Sequence, residues 1–356
     1  MPRDVRSRAV SVHAVSYGQL PPDVLAAWRG FRDADPAFDS PFFHPGFAQA
    51  VDHCGPAVTV VFGRDRSGDV VAIWPMHRRG RVLRPVGWPA ADFQGPIGTA
   101  TLAPSCVLSA TRASLLLFDH LTDSAPAVRA EVQTWRPSPF LDTTGGLEGY
   151  LTRTSKSGRS NMTQARRRTE SATRDIGPLR FTSDSTSDAL LDQVIALKRQ
   201  QYKKTDARDY FAQPERVDLM HHLLALRNTS FTGVLSAVHF GETLVAAHFG
   251  IRADNVLHWW FPVYEPEFSG LAPGWILLRE QVAAAPDLGI TRIDLGRGED
   301  MFKRHAKTGE VAVGEGFVSA SRIVHTGLAS QRTAREWLRH SELAPGLKRV
   351  ARALGR

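Results

Sequence analysis

Two glycine-bearing segments late in the chain hold residue types that bind anions. The first leads into an apolar helical pattern and consists of Gly270, Leu271, Ala272, Pro273 and Gly274. A proline near the first turn of a helix is already set to the helical backbone angle. The free N–H groups and the dipole of such a turn favour a phosphate. The segment therefore either binds a phosphate or is an ordinary loop that caps a helix.

The second segment places an arginine between two glycines just after a predicted strand. Asp294 lies near the end of that strand, Arg297 stands between the glycines, and Glu299 and Lys303 follow. Ligands bind at strand ends in open sheets. A guanidinium held on such a turn suits a phosphate or a carboxylate. The alternative is a solvated turn.

Two histidines fall on neighbouring strands of a predicted antiparallel meander. His258 is followed by Trp259, Trp260 and, at the strand end, Tyr264, while His248 lies on the preceding strand. A histidine can act as a general base near neutral pH, but a buried core histidine is the alternative. Because side chains alternate along a strand, one tryptophan is predicted to face the core and the other a cleft.

Several kinds of site are excluded. The chain has no P-loop, no dinucleotide-binding glycine pattern, no serine nucleophile elbow and no HExxH zinc motif. His221 and His222 are adjacent on a predicted helix, so they cannot face one metal together. Cys54 and Cys106 are too few for a disulfide framework or a cysteine-rich zinc site. We therefore predict no metal and a reducing, cytoplasmic location.

The positive charge of the chain is concentrated in two blocks. The 356 residues carry a net charge of +8. Residues 153–174 hold seven basic residues and one acidic residue, and 326–356 hold seven basic and two acidic residues. Each block is either a solvated helix face or a contact for phosphates. The longest apolar stretches, such as 234–240, are far shorter than the ~20 residues that span a bilayer, so no transmembrane segment is predicted.

The order of predicted elements indicates an α/β (α+β) chain. Helical spacing is predicted over 22–31, 147–151, 156–174, 187–197, 215–226 and 275–285. Strands are predicted over 57–63, 70–76, 82–86, 115–118, 179–182, 233–240, 243–251, 256–261, 290–295 and 311–320. This order predicts an open mixed sheet with helices on both faces. The proline-rich run 136–139 is taken as the domain boundary.

A set of motifs extends over most of the chain, about residues 10–322. Its members are 40–43, 73–76, 92–96, 246–251, 257–264, 266, 273–274, 293–299 and 302–303. Together they resemble GNAT-superfamily acyltransferases of the CelD type, acetyltransferase-like proteins often described as cellulose-biosynthesis proteins. That family resembles the FemABX peptidyltransferases in having two GNAT-like lobes, of which the second holds the acyl donor.

The resemblance implies tandem lobes, each a mixed, mainly antiparallel sheet with helices on both faces. The lobes would be 1–135 and 136–325, followed by a basic helical tail over 326–356. Residues 270–274 would correspond to the turn that receives the pyrophosphate of coenzyme A. The usual GNAT turn has Gln or Arg, two residues, Gly, one residue, then Gly or Ala, and this chain keeps only a glycine-bearing turn before the helix.

The activity implied by the resemblance is direct acyl transfer from acetyl-CoA or another acyl-CoA to an amine of a sugar, glycan precursor or small metabolite. His258, Asp294 and His248 are the candidates for the base. The substrate-binding candidates are Trp259, Tyr264, Arg297, Glu299 and Lys303. Two alternatives remain: an aminoacyl-tRNA-dependent transferase, which the basic block 153–174 would suit, and a non-catalytic subunit of polysaccharide biosynthesis.

Overall fold

The computed structural model describes residues 11–124 and 126–321. The basic tail predicted over 326–356 lies outside the described residues. Among the helices that are described, none combines the length and the apolar character needed to cross a membrane.

The N-terminal half, defined here as residues 11–142, contains seven strands and four helices within its described part. Its strands are β1 (Ser11–Ser16), β2 (Val58–Arg64), β3 (Val70–Arg79), β4 (Val82–Pro85), β5 (Ile97–Gly98), β6 (Leu115–Thr122) and β7 (Val132–Asp142). Its helices are α1 (Pro22–Ala34), α2 (Pro45–Cys54), α3 (Pro104–Ala110) and α4 (Pro126–Arg129). Each helix begins with a proline, whose missing N–H costs nothing at a first helical position.

The C-terminal half, defined as residues 146–319, repeats a similar order of elements. Its strands are β8 (Leu179–Thr182), β9 (Phe231–Phe240), β10 (Thr243–Ala253), β11 (Val256–Tyr264), β12 (Arg292–Asp294) and β13 (Gly309–Ser319). Its helices are α5 (Gly146–Arg153), α6 (Lys156–Asp175), α7 (Asp188–Thr205), α8 (Pro214–Ala225), α9 (Pro273–Ala284) and α10 (Met301–Ala306). The predicted cap of α7 is confirmed, because the Ser187 side chain accepts from the Leu190 N–H.

The strands of both halves join in a mixed sheet, as the sequence predicts. In the described residues its order is β1-β2-β3-β4-β6-β13-β7-β12-β11-β10-β9-β8, with β5 paired to β3. Each half contributes an antiparallel meander, then a helix, then a strand parallel to the last strand of the meander. The two halves therefore follow one plan.

The last strand of each half lies in the sheet of the other half. β13 ends the C-terminal half but pairs with β6, and β7 ends the N-terminal half but pairs with β12. The two exchanged strands also pair with each other over most of their length. This exchange makes the sheet continuous, so the halves share backbone hydrogen bonds as well as side-chain contacts.

The proline-rich run 136–139 lies inside β7. The carbonyls of Pro137 and Pro139 accept from the Gly298 and Leu295 N–H groups. On that edge β7 meets β12 only at Phe140–Asp142 among the described strands, so neither proline interrupts a regular ladder there. The division into domains near this run stays a prediction.

Apolar residues cover both faces of the sheet. On one face, α1, α2, α7 and α8 pack into a core that includes Trp28, Phe47, Leu191 and Leu223, and this core runs across both halves. On the other face, α6 and α9 cover the C-terminal half, and α3 covers the N-terminal half. Helices from both halves therefore hold the region where β11 and β12 meet.

Candidate functional site

The parallel pair of β11 and β12 separates after three residues. Val256–His258 pair with Arg292–Asp294, and then β12 ends while β11 continues to Tyr264. Residues 295–298 turn away to bond with β7. Among the described strands, none pairs with β11 on this side beyond His258. We call the space between that edge of β11 and residues 295–298 the strand cleft, and the point of separation its apex.

A bulge lies in β11 next to the apex. Phe249 of β10 pairs with Phe261, and Ile251 pairs with His258, so β11 has one residue more than β10 between these pairs. Bulges re-aim side chains and are common beside active sites. The two tryptophans of the bulge point into opposite cores, but both are buried, at 4% and 8% exposure. Neither therefore lines an open cleft in this conformation.

The apex joins His258 to an aspartate of the N-terminal half. Nε2 of His258 lies 3.0 Å from Oδ2 of Asp92, and His258 is fully buried while the Asp92 side chain is 24% exposed. Asp92 packs directly on Gly296, whose φ is +72°. A side chain at position 296 would collide with the carboxylate, so the glycine is required both by its backbone angle and by this close approach.

A second histidine contacts the other oxygen of Asp92. His120 Nε2 lies 3.2 Å from Asp92 Oδ1, and His120 Nδ1 lies 2.8 Å from Asp119 Oδ1. Gln94 fixes this group, because its Nε2 donates to Asp119 Oδ1 and its Oε1 accepts from the N–H groups of Asp119 and His120. The result is a chain of alternating carboxylates and imidazoles that begins at β11.

The surroundings of Asp92 favour its ionised form. Burial by itself raises the pKa of Asp92, but the hydrogen bond with His258 and the charges of His120, His258 and Lys303 lower it to about 2. At neutral pH the carboxylate is therefore charged, and it can accept hydrogen bonds from both imidazoles or from an amine.

Two basic residues of the predicted second segment also reach the apex. The Lys303 ammonium donates to the carbonyls of Gly296 and Arg297 at 3.2 and 2.9 Å. Its burial lowers the pKa of Lys303, while the charge of Asp92 opposes this. Arg297 donates to the Asp119 carbonyl at 2.7 Å and lies 3.6 Å from Glu315. Lys303 therefore ties α10 to the turn after β12, and Arg297 holds that turn against the N-terminal half.

Helix α7 adds positive charge along the strand cleft. Lys198 donates to the carbonyl of Pro262 in β11 at 3.4 Å. Burial, and then the charge of Lys303, lower the pKa of Lys198 to about 8. Lys204, two turns further on, lines a cavity of about 240 Å³ at the far end of β11. Lys303, Lys198 and Lys204 therefore follow β11 from the apex to its end.

The predicted anion-binding turn lies beside this cavity. Residues Pro266–Leu271 form a 3-10 turn, Ala272 has φ +49°, and α9 starts at Pro273. The lining of the cavity includes Tyr264, Pro266 and Ser269 from this side. At about 3.3 Å per residue, the turn lies roughly 20 Å along the strand from His258. The turn and the apex therefore lie at the two ends of the unpaired edge of β11.

The other predicted site residues lie in different surroundings. Asp294 is buried and bonds Arg292, which also binds Asp39, and it lines a separate cavity of about 360 Å³. His248 is fully buried and stacks on Trp259 at 3.8 Å between ring centroids. Burial and the charge of His258 lower the pKa of His248 well below its usual value. Tyr264 and Glu299 are exposed.

Three residues of the site escaped the sequence argument, namely Asp92, His120 and Lys198. Asp92 stands in one of the motifs that carry the family resemblance, 92–96, but nothing in its spacing connects it to His258. His120 and Lys198 lie on a strand and a helix among ordinary apolar patterns. The exchange of β7 and β13 brings Asp92 and His120 beside β11, and the packing of α7 on β11 brings Lys198 there. No local sequence pattern encodes either arrangement.

Comparisons with known proteins agree with this geometry. Residues 156–304, which include α9, β11 and β12, match the family model described as Acetyltransferase (GNAT) domain. No curated protein sequence matches the chain. The fold is similar to FemX (TM-score 0.52, 10% identity, 77% of this chain and 90% of that chain).

Two further structures are similar. One is the C-terminal domain of a protein assigned as a lysylphosphatidylglycerol synthetase of Agrobacterium fabrum (TM-score 0.51, 12% identity, 87% of this chain and 95% of that chain). The other is L-PGS from Bacillus licheniformis (TM-score 0.50, 12% identity, 87% and 96%). At these identities the likeness concerns the fold alone.

Proposed function

We propose that this acyltransferase, whose residues 156–304 match a GNAT acetyltransferase domain, transfers an acyl group from acetyl-CoA or another acyl-CoA to an amine, by direct attack. The separation of β11 from β12 carries this proposal, because it leaves a strand edge that leads from a helix start to a charged apex. An extended donor can lie along that edge with its phosphates at the turn and its acyl group at the apex.

The residues along this edge of β11, which would form the donor groove, suit the two ends of such a donor. Lys204 and the N-terminus of α9 offer positive charge beside the cavity, where phosphates would bind. Lys198 continues this charge toward the apex. Unpaired backbone N–H groups on the edge of β11 would stabilise the oxyanion that forms when the thioester carbonyl is attacked.

The apex would receive the acceptor amine. The carboxylate of Asp92 is ionised and partly exposed, so it can accept a hydrogen bond from the neutral amine. When the amine nitrogen attacks the thioester carbonyl, an amide bond forms, the carbon–sulfur bond breaks and the CoA thiolate leaves. The buried imidazole of His258, bonded to Asp92, is the candidate that takes the amine proton through that carboxylate. Lys303 and Arg297 then shape the turn that closes the apex, and Asp294, which pairs with His258 across the two strands, would hold the β12 end through Arg292.

The finer identity of the acceptor rests on the family resemblance. An amine on a sugar, a glycan precursor or a small metabolite fits a site that combines carboxylates with half-buried polar groups. The CelD-type resemblance favours a substrate of polysaccharide biosynthesis. Trp259 and His248 lie directly behind the apex and would support its shape rather than touch the acceptor.

A tRNA-dependent transferase is the second candidate. Helix α6 packs against α9 and the turn Pro266–Leu271, so it borders the donor end of the groove. The basic residues of its solvent face are Lys156, Arg159, Arg166, Arg167 and Arg174, all of them exposed. Such a surface suits a polyanion such as tRNA, which is the donor that the FemABX resemblance implies for this second candidate. A non-catalytic subunit would bind neither donor.

A thermal-shift titration with acetyl-CoA, CoA and longer acyl-CoAs tests the proposal. A ligand at about 100 times its Kd stabilises the fold by about 2.7 kcal/mol, so a saturable rise in Tm is expected. Ser269→Trp would fill the cavity and remove the rise, whereas Glu267→Trp, exposed in the same turn but outside the cavity lining, would keep it.

The outcomes separate the candidates. No shift with any CoA, together with tRNA binding that weakens steeply as salt increases, would support the second candidate instead. If the protein binds neither acyl-CoA nor tRNA, the non-catalytic subunit remains as the candidate function.

A further inference from the structure

A cluster of metal-ligand side chains lies between α2 and α8, away from the strand cleft. It consists of His53 and Cys54 at the end of α2 and His222 in the last turn of α8. Their ligand atoms all lie within 4.8 Å of one another. Because His221 and His222 are adjacent on one helix, the sequence predicts that they do not face one metal together. The structure separates the two, since His221 bonds Asp188 and Asp192 while His222 faces α2.

We propose that His53, Cys54 and His222 bind a transition-metal ion, with Zn²⁺ the best match, and that this ion ties the N-terminal half to the C-terminal half. Thiolate and imidazole together are the ligands that zinc prefers among the common divalent cations. This inference is independent of the proposed acyl transfer, because the cluster shares no residue with the strand cleft.

The distances need little adjustment to hold zinc. Zinc–nitrogen bonds of about 2.0–2.1 Å and zinc–sulfur bonds of about 2.3 Å place tetrahedral ligands roughly 3.3–3.6 Å apart. The two imidazole rings already stand 4.7 Å apart between centroids. His53 is exposed and is therefore able to move its ring toward the others. Rotation of this side chain would change its distances to Cys54 and His222 without moving either helix.

The ligand atoms are not engaged elsewhere in the described part of the chain. No hydrogen bond to another described residue involves the His53, His222 or Cys54 side chains, whereas His221 is held by two carboxylates.

The electrostatic surroundings favour a cation. Both α2 and α8 end at the cluster, and the negative end of a helix dipole attracts positive charge. Asp218 stands one helical turn before His222 on α8, so its carboxylate is the candidate for a fourth ligand. His53 and His222 also line a cavity of about 500 Å³, from which water can reach the ion.

The inference is tested on the full chain without a histidine tag. After treatment with a chelator and gel filtration, the protein is titrated with Co²⁺ and with Zn²⁺. We expect one equivalent of metal, a sulfur-to-cobalt charge-transfer band that Zn²⁺ displaces, and a Tm that rises with free Zn²⁺. No charge-transfer band, or a Tm that ignores zinc, would overturn the inference.

Variants show whether these side chains are the ligands. Cys54→Ser should abolish the charge-transfer band, and His222→Asn and His53→Asn should each weaken zinc binding at least about tenfold. The matched controls Cys106→Ser and His221→Asn should keep both signals. His53 is exposed, so its variant stays informative where a change at a more buried ligand prevents folding. Metal retained in all three ligand variants, or lost in either control, would place the ion elsewhere.

Discussion

Each half of the molecule contains one parallel strand pair, and the two pairs differ in which strand ends first. In the N-terminal half, β4 pairs in parallel with β6 over Val82 and Leu83, and β4 then ends. Residues of the loop 86–103 take its place beside β6, where Gln94 bonds the backbone of His120 and Thr122. In the C-terminal half, β11 continues past its partner, and no described strand replaces β12.

This difference explains why the groove lies in the C-terminal half. The short segment 265–272 leads from β11 directly into α9, so the helix start stands at the end of the open edge. The longer loop of the N-terminal half closes its own strand pair and delivers Asp92 to the apex of the other. In the proposed function, the C-terminal half therefore provides the binding groove, and the N-terminal half supplies a wall and a carboxylate.

The largest effect is expected from removing that carboxylate. Asp92→Asn keeps the size of the side chain but loses the charge that His258 and His120 share. We expect acyl transfer to fall roughly 10²- to 10⁴-fold, the usual worth of a general-base system. Steady-state kinetics of the wild-type and variant enzymes with the same acyl donor measure this fall in rate. Asp123→Asn, an exposed neighbour on the same half, should leave the rate unchanged. An active Asp92→Asn enzyme would remove the N-terminal half from the chemistry.

The next largest effect is expected on the stability of the fold, when the contacts of Gln94 beside β6 are lost. Gln94 is 2% exposed, and its amide bonds Asp119, His120 and the Ala91 carbonyl. Gln94→Ala leaves buried polar groups without partners, so we expect a loss of about 3 kcal/mol in the free energy of unfolding. Urea denaturation measures it. Gln213→Ala, at an exposed glutamine with no capping bond, should stay within about 0.5 kcal/mol. Equal losses in both variants would contradict the role of Gln94.

The contact between the halves also predicts a pH dependence. The native pKa of Asp92 is about 2, below the ~3.9 of an unfolded aspartate. Its contribution to stability is therefore full above about pH 4 and is lost as the pH falls toward 2. The size is about 2 kcal/mol. The free energy of unfolding, measured by urea denaturation at each pH from 7 to 2, should fall more steeply with decreasing pH for the wild type than for Asp92→Asn. The same pH dependence in both proteins would mean that the contact with His258 does not hold the two halves together.

The sequence predicted the elements of the C-terminal half well because each has a local cause. Ser187 caps α7, the alternation of 243–264 forms two strands, and Pro273 starts α9. His258 is predicted from its place on the meander, and Arg297 and Lys303 from the glycine turn after a strand; the structure brings all three to the apex, and their roles stay predictions. Asp92 and His120 are not predicted, because their place beside β11 depends on strands exchanged between halves. The packing of α2 on α8 brings together His53, Cys54 and His222. Spacing along the chain cannot reveal that packing.

A smaller effect is expected at the donor end of the groove. Lys204→Gln removes one positive charge from the cavity wall at an exposed position. We expect the KM for acyl-CoA to rise roughly tenfold or less, equivalent to about 1 kcal/mol, with kcat nearly unchanged. Lys203→Gln, on the same turn of α7 but outside the cavity lining, is the matched control. A fall in kcat without a change in KM would place Lys204 in the chemistry instead.

The smallest effect, for a CoA donor, is expected on the outer face of α6. Arg167 is exposed and points away from the apolar face of the helix, which packs Met162 and Ala165 into the core. Arg167→Gln should therefore change the KM for acyl-CoA and the free energy of unfolding by less than about 0.5 kcal/mol. A tRNA donor predicts the opposite, since each lost phosphate contact weakens binding and lowers its salt dependence. Filter binding to tRNA at several salt concentrations, run beside acyl-CoA kinetics on the same variant, distinguishes a groove that ends at Lys204 from one that extends onto α6.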